Sequence, residues 1–371
     1  MAANIRPSGV FNTTYAQDMM LDRTPANRIS AWVFVGILLL LPMLSSDGLL
    51  GLNIIPSLWV STIAKIAIFA IAVQGLNIIM GYTGQISLGH AAFMAVGAYT
   101  AGILVRNLGF TFWTALPVSM LFTGFIGLLF GLPSLRVKGF YLAMATLAAQ
   151  SIIIWLITYP LAPYTGGANA ITLENYGVPF FGTTATKLGM YYIIIPFAVL
   201  SFLVARNLVR TRVGRAFISI RDNDLAAELL GINVFNYKLQ AFFISSVYAG
   251  LAGALFAFNK QSIQPTDFTF ALSIELLAML VIGGAGFALG PLFGAAFILI
   301  VNQIIVPDIQ PVLATFFSNL FTFVPAEQVS TAFPPMMFGL ILALFLVLLP
   351  RGIAYQWEIL KISWKIRPYS Y

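Results

Sequence analysis

Long apolar runs follow one another along this chain, and nearly every charged residue sits in the joints between them. A run that is apolar on every side has no face to give to water, so it belongs in a large core or in a bilayer. Only 8% of the residues are charged, against about 25% in ordinary soluble proteins. That shortage leaves too little polar surface for soluble packing, and the runs point to an all-α polytopic membrane protein. The ten-residue alternation of a membrane barrel is missing. There is no cysteine, which excludes disulfides, thiolate metal sites and cysteine nucleophiles.

About ten membrane helices, within a range of eight to eleven, are expected near residues 31–50, 58–80, 86–105, 112–131, 140–158, 189–205, 238–258, 272–288, 290–306 and 333–350. The first is short, because its uninterrupted run covers only Ala31 to Leu44. Threading the chain this way sends fifteen Lys and Arg residues to one side and three (Arg106, Lys187, Lys260) to the other, with Lys65 inside a span. The net charge of +7 is thereby explained by loop asymmetry, without nucleic acid as a partner, and both termini are expected in the cytoplasm. Residues 1–30 read as a polar cytoplasmic extension without a signal peptide, 31–350 as the membrane domain, and 351–371 as a basic cytoplasmic tail. Outer loops are expected at 159–188 and 307–332, as short interfacial or folded loops.

The stretch 206–237 is a cationic island that cannot enter the bilayer core, where each charge costs about 2.5–3.5 kcal/mol even on the mildest scale. After Arg210, Arg212, Arg215 and Arg221 comes a short amphipathic segment, Asp222 to Ile232. Asp222, Asn223 or Asp224 can cap a helix there. Leu225, Leu229 and Ile232 fall on one face, Ala226 and Ala227 permit close approach, and Gly231 can end the helix. A rigid helix with an apolar face in the cytoplasm suits docking of a partner; the alternative is a surface helix folded back on the membrane.

Reactive constellations are absent from the sequence. There is one histidine, no Gly-Lys dipeptide of a phosphate-binding loop, and no grouping of His, Asp or Glu such as a membrane enzyme or metal site needs. No cofactor is expected. Two glycine-rich stretches stand out, GYTGQISLGHAAFMAVGAYTAG (81–102) and IGGAGFALGPLFGAAF (282–297). Gly81, Gly84, Leu88 and Gly89 in the first correspond to Gly283, Gly286, Leu289 and Gly290 in the second, which suggests duplicated helix breaks. Gln85, Ser87 and His90 place polar groups where the first break is expected, and a half-helix starting near Ser87 would aim free N–H groups at an anion such as a carboxylate. Close packing through small residues is the competing explanation of both stretches. Glu275 and Lys65 are ionisable residues inside apolar spans. Glu275 is a candidate for substrate contact, and Lys65 is equally a snorkelling side chain.

With these motifs, LRVKGFYLAMATLA (135–148) and SIELLAMLVIGGAGFALGPLFGAAF (273–297), the chain resembles the larger of the two permease types of branched-chain amino-acid ABC importers over most of residues 31–350. Ala226, Ala227 and Gly231 match the Ala-Ala-x-x-x-Gly core of the ABC coupling motif, with Leu225 where the motif has Glu and without its Ile-x-Leu-Pro ending. The resemblance implies a multi-pass subunit of a bacterial-type inner membrane that moves apolar amino acids from periplasm to cytoplasm and is not itself an enzyme. It implies a second homologous permease, two cytoplasmic ATPase subunits and a periplasmic amino-acid-binding protein as partners. Gln85, Ser87, Gly89, His90, Glu275, Gly283 and Gly286 would line the substrate pathway; Asp224, Leu225, Ala226, Ala227, Leu229 and Gly231 would meet the ATPase. A permease for urea or short amides is the nearest alternative, and an ion-coupled secondary transporter is the alternative from another class.

Overall fold

The computed structural model describes residues 25–44, 56–134, 139–173, 179–180, 183–184, 187–311 and 326–366. Most of the expected N-terminal extension, the middles of both outer loops, the first four residues of the 135–148 motif and the end of the tail lie outside them. Helix α1 spans Pro25–Leu40 and tightens into a narrow turn, Leu41–Leu44. Then come α2, Ser57–Leu76, widening into a π-type turn over Asn77–Tyr82; α3, His90–Leu108; α4, Phe112–Ser134; and α5, Phe140–Thr158. The second half holds α6, Lys187–Arg210; α7, Arg212–Asp222; α8, Asp224–Leu229; and α9, Val234–Lys260. It ends with α10, Phe270–Gly283; α11, Gly290–Ile300; α12, Ala326–Leu348; and α13, Ile353–Ile366. In lipid a helix satisfies its backbone within itself, and so the apolar runs fold this way.

Among the described residues eight helical segments are long and apolar enough to cross a membrane, and Phe333–Leu348 with Ile353–Ser363 forms a ninth unit bent by 42°. The first expected span moves: its helix starts at Pro25, inside the expected polar extension. Proline suits a first helical turn, where no N–H is needed. Tyr191 donates to the Leu38 carbonyl at 2.7 Å and ties α1 to α6. The expected basic tail is helical from Ile353 and lies against α11, with Trp357 meeting the Phe293 ring at 6.3 Å.

Helix α9 is the hub, packing on α2, α3 and α4. Small residues make that approach possible. A Cβ on Gly253 would fall on the Met94 carbonyl, one on Gly97 would meet the Gly250 backbone, and one on Gly127 would strike Ser246. Without an apolar driving force between helices in lipid, such close backbone contact is what holds them. Two residue pairs, Ile171 with Ile263 and Thr172 with Ser262, form a small antiparallel ladder at the outer end.

Candidate functional site

The first glycine-rich stretch breaks its helix as the sequence suggests, three residues later than expected. Gly84 turns the chain at φ +70°, a conformation costly for residues with a Cβ. The Gln85 N–H bonds back to the Ile79 carbonyl at 3.0 Å, which closes the end of α2. Residues 84–89 then run without regular secondary structure and with alternating exposure: Gln85 and Ser87 are buried, Gly84 and Ile86 exposed. Thr146 takes the Leu88 N–H at 2.9 Å, and a Cβ on Gly89 would strike the Thr146 carbonyl. Helix α3 therefore starts at His90 rather than near Ser87, because α5 claims the backbone before it.

His90 donates its Nε2 proton to the Ala72 carbonyl at 2.9 Å, well inside α2. The N–H groups expected to face an anion are partly engaged. Ser273 accepts from Ala91 N–H at 3.0 Å and donates to Gln150 Oε1 at 2.7 Å, and Gln150 Nε2 donates to the Phe268 carbonyl at 3.3 Å.

The second stretch also breaks its helix, between Gly283 and Gly290, but as a tight hairpin. Gly284 and Gly286 lie at φ +108° and +85°, and a Cβ on Gly294 would fall on the Met279 carbonyl. The two breaks meet. Asn77 donates to the Phe287 carbonyl at 3.0 Å and accepts the Gly286 N–H at 2.8 Å. Into the same junction reaches Arg221, whose Nη1 donates to the Gly81 carbonyl at 2.9 Å. Its side chain stands 3.1 Å from where a Cβ on Gly84 or Gly286 would lie.

Arg221 is the penultimate residue of α7, immediately before α8. Thr211 caps α7 by accepting the Gly214 N–H at 3.3 Å, and Asn223 caps α8 by accepting the Ala226 N–H at 3.1 Å. Gly231, at φ +84°, ends α8, and Asn233 caps α9 by accepting the Asn236 N–H at 3.0 Å. Asp224 pairs with Lys238 at 3.5 Å, fastening α8 to the first turn of α9. Ala227 faces inward at 2% exposure, while Leu225, Leu229 and Leu230 stand out at 66, 89 and 81%. Ile232 is half-buried, so the outward apolar face runs through Leu230 rather than through Ile232.

Glu275 is not part of the first break. It lines a separate cavity of about 800 Å³ with Lys65, Phe69, Phe256, Asn302 and Gln303, at the ends of α2 and α9 opposite the coupling segment. None of Gln85, Ser87, Gly89 or His90 lines that cavity. Gly286 belongs to the junction near Arg221, while Gly283 packs against Gly290 and Gly294 inside the hairpin.

Sequence reasoning passed over Asn77, Thr146, Gln150, Ser273, Asn302 and Gln303. Each is a polar residue inside an apolar run, and that alone marks it as bonded to something across the bundle. It also counted Arg221 as loop charge; the residue's adjacency to the α8 cap was the available signal.

Residues 58–350 match the family described as branched-chain amino acid transport system, permease component. The chain is 34% identical over 264 residues to the high-affinity branched-chain amino acid transport system permease protein LivM of Escherichia coli (strain K12), covering 65% of this chain and 62% of that relative. Less than two thirds of that relative's length is therefore spanned. It is 23% identical to the probable LivM of Methanocaldococcus jannaschii, over 77% of this chain and 90% of the relative. To the probable LivH of the same organism it is 25% identical, over 62% and 75%. No solved structure matches this chain. With its apolar helices, the match over most of its length makes it a multi-pass inner-membrane protein, and the chain belongs to the branched-chain amino acid transport permease family.

Proposed function

We propose that this chain is one permease subunit of an ATP-driven importer that moves branched-chain, apolar amino acids from periplasm to cytoplasm. The relatives' names supply the substrate class, and likeness to both a LivM and a LivH protein supports a pathway shared between two homologous permeases. ATP hydrolysis belongs to two separate cytoplasmic subunits and delivery to a periplasmic binding protein; this chain supplies the pathway and carries no catalytic residue.

The observation that carries the proposal is the capped α8 helix. It shows Leu225, Leu229 and Leu230 to the cytoplasm and is joined through the neighbouring Arg221 to both chain breaks. An exposed apolar face on so short a helix is a docking surface. Pushing it moves α7, and α7 holds the Gly81 carbonyl where α2 ends. ATP-induced closure of the motor subunits thereby biases the two breaks between alternative arrangements.

Reconstitution of the complete importer in liposomes tests this. Leu229→Asp puts an unpaired charge in the docking face and is expected to lower ATP-driven leucine uptake at least tenfold while the permease pair still assembles. Gly231→Pro, which removes the N–H bonded to Glu228, is expected to do the same. Uptake at the wild-type rate by both variants would overturn the docking role. Accumulation of leucine by this chain alone, driven by a sodium or proton gradient, would replace the ABC reading with ion-coupled transport. Urea or short amides carried in preference to leucine would replace the substrate.

A further inference from the structure

The outer cavity holds two ionisable groups that the coupling geometry does not use. Lys65 lies about eight residues into α2, roughly 12 Å from its outer end. Among the described residues it pairs with no carboxylate, and the neighbouring Lys260, at the mouth of the same cavity, is taken by Asp267 at 2.5 Å. Glu275, across the cavity on α10, receives a hydrogen bond from Asn302 Nδ2 at 3.1 Å. Thr62 anchors Gln303 through its Oε1 at 3.1 Å, leaving the Gln303 amino group for the cavity. Phe69 and Phe256, edge to face at 6.1 Å, supply apolar wall.

A lone cation and a carboxylate bonded by one amide are expensive in an apolar span unless partners reach them. They line one cavity yet form no ion pair with each other. Something with an anionic and a cationic end fits between them.

We infer that this cavity binds a zwitterion, an α-amino acid with an apolar side chain: Lys65 takes its carboxylate, Glu275 its ammonium group, and Phe69 and Phe256 its side chain. The inference rests on the transport reading above and makes the outer half of this permease a discriminating site rather than a passive conduit. Two charged contacts on one small molecule select for the backbone of an amino acid, and an apolar wall selects for its side chain. The same chemistry exists in an ethanolamine phospholipid headgroup, which the test separates.

The assembled importer, without binding protein, is placed in liposomes of phosphatidylcholine and phosphatidylglycerol, and binding of radiolabelled leucine is measured. Competitors are leucinamide, which lacks the carboxylate, and 4-methylpentanoate, which lacks the ammonium group. The wild type is expected to prefer leucine to each by at least about tenfold, as loss of one partner of a desolvated charge pair implies. Lys65→Gln should erase the preference over leucinamide and keep that over 4-methylpentanoate; Glu275→Gln should do the reverse. A snorkelling lysine or a purely structural glutamate would leave both ratios unchanged, and that result overturns the inference. So does an absence of saturable leucine binding in vesicles that show ATP-driven uptake once a binding protein is added. If adding phosphatidylethanolamine displaces leucine through Lys65 and Glu275, the cavity belongs to a lipid headgroup and the inference also fails. Missing uptake in the wild type with the binding protein added would sink the transport reading instead, and the competition ratios would still decide the cavity.

Discussion

Replacing Arg221 by alanine removes its hydrogen bond to the Gly81 carbonyl along with an exposed pair to Asp222, and the size of the first can be worked out from the structure. The guanidinium donates to the Gly81 carbonyl at 2.9 Å, with the side chain 40% exposed. Hydrogen bonds to charged groups contribute about 1.5–3 kcal/mol, and this degree of exposure argues for the lower end, roughly 1.5 kcal/mol after solvent screening. If the bond holds α7 to the end of α2 while the motor subunits close, its loss lets α8 move without moving the breaks. A loss of roughly 1.4 kcal/mol corresponds to a factor of about ten, so the number of ATP molecules hydrolysed per leucine delivered should rise by about that factor. The assay is simultaneous measurement of phosphate release and leucine uptake in proteoliposomes. Arg221→Lys should recover part of the coupling, because one donor can still reach the carbonyl. Asp222→Asn should change little, since its ion pair with Arg221 is exposed and such pairs contribute about 0–1 kcal/mol. Unchanged stoichiometry in Arg221→Ala would refute the link between coupling segment and breaks.

Asn77→Leu strands the Gly286 N–H and the Phe287 carbonyl, at about 1–3 kcal/mol for each group left unpaired; a lower unfolding temperature of the detergent-purified complex, together with lost uptake, would show it. Asn223→Ala removes the α8 cap, worth about 1 kcal/mol, and faster amide hydrogen exchange across residues 224–230 with an intact membrane bundle is the expected readout. Gly84→Ala and Gly109→Ala both force a side chain to φ near +70°, at about 1–2 kcal/mol each, but only Gly84 has Arg221 beside it. Both should lose similar thermal stability, and only Gly84→Ala should also lose coupling. Gly253→Val drives side-chain atoms into the Met94 carbonyl, and failure to purify as a monodisperse complex is expected; normal behaviour would show that α9 and α3 can separate cheaply.

The helical class and the approximate positions of the spans were readable because each run is apolar at every position, and a bilayer turns that into helix without consulting the rest of the molecule. Both glycine breaks were readable for a local reason too, since left-handed backbone at Gly84, Gly284 and Gly286 is something glycine does freely. The cap of α8 and its glycine stop follow from nine consecutive residues, Asn223 to Gly231. What could not be read was partnership across the bundle. Nothing near Asn77 in sequence announces Phe287 or Gly286, 210 and 209 residues away. Helix α3 begins at His90 because Thr146, 58 residues beyond Leu88, takes its N–H. Ile232 shares the helical period of Leu225 and Leu229 but lies past the Gly231 turn, where the period no longer applies. The first span shifted for a related reason: a helix that ends in a narrow turn at Leu44 was hidden by a run too short to fix its own boundaries.

The two breaks are alike in residues and unlike in mechanics. The second is a hairpin in which Gly283, Gly290 and Gly294 bring α10 and α11 into backbone contact; it has little slack. The first leaves residues 84–89 outside regular secondary structure, held to other elements at Leu88 and anchored just beyond by His90 and Ala91. Irregular backbone has no ladder of internal hydrogen bonds to break when its ends move, whereas a helix resists shortening along its whole length. If α8 receives the motor's push as proposed, motion arriving at Gly81 through Arg221 would be taken up between Gly84 and Leu88, while the α10–α11 hairpin, tied to the same point by Asn77, would turn as a unit. Helix α10 carries Ser273, which holds the start of α3, and Glu275, which faces the outer cavity. On the proposed coupling role of α8, turning α10 would change the start of α3 and one wall of the cavity together, with residues 84–89 as the piece that yields.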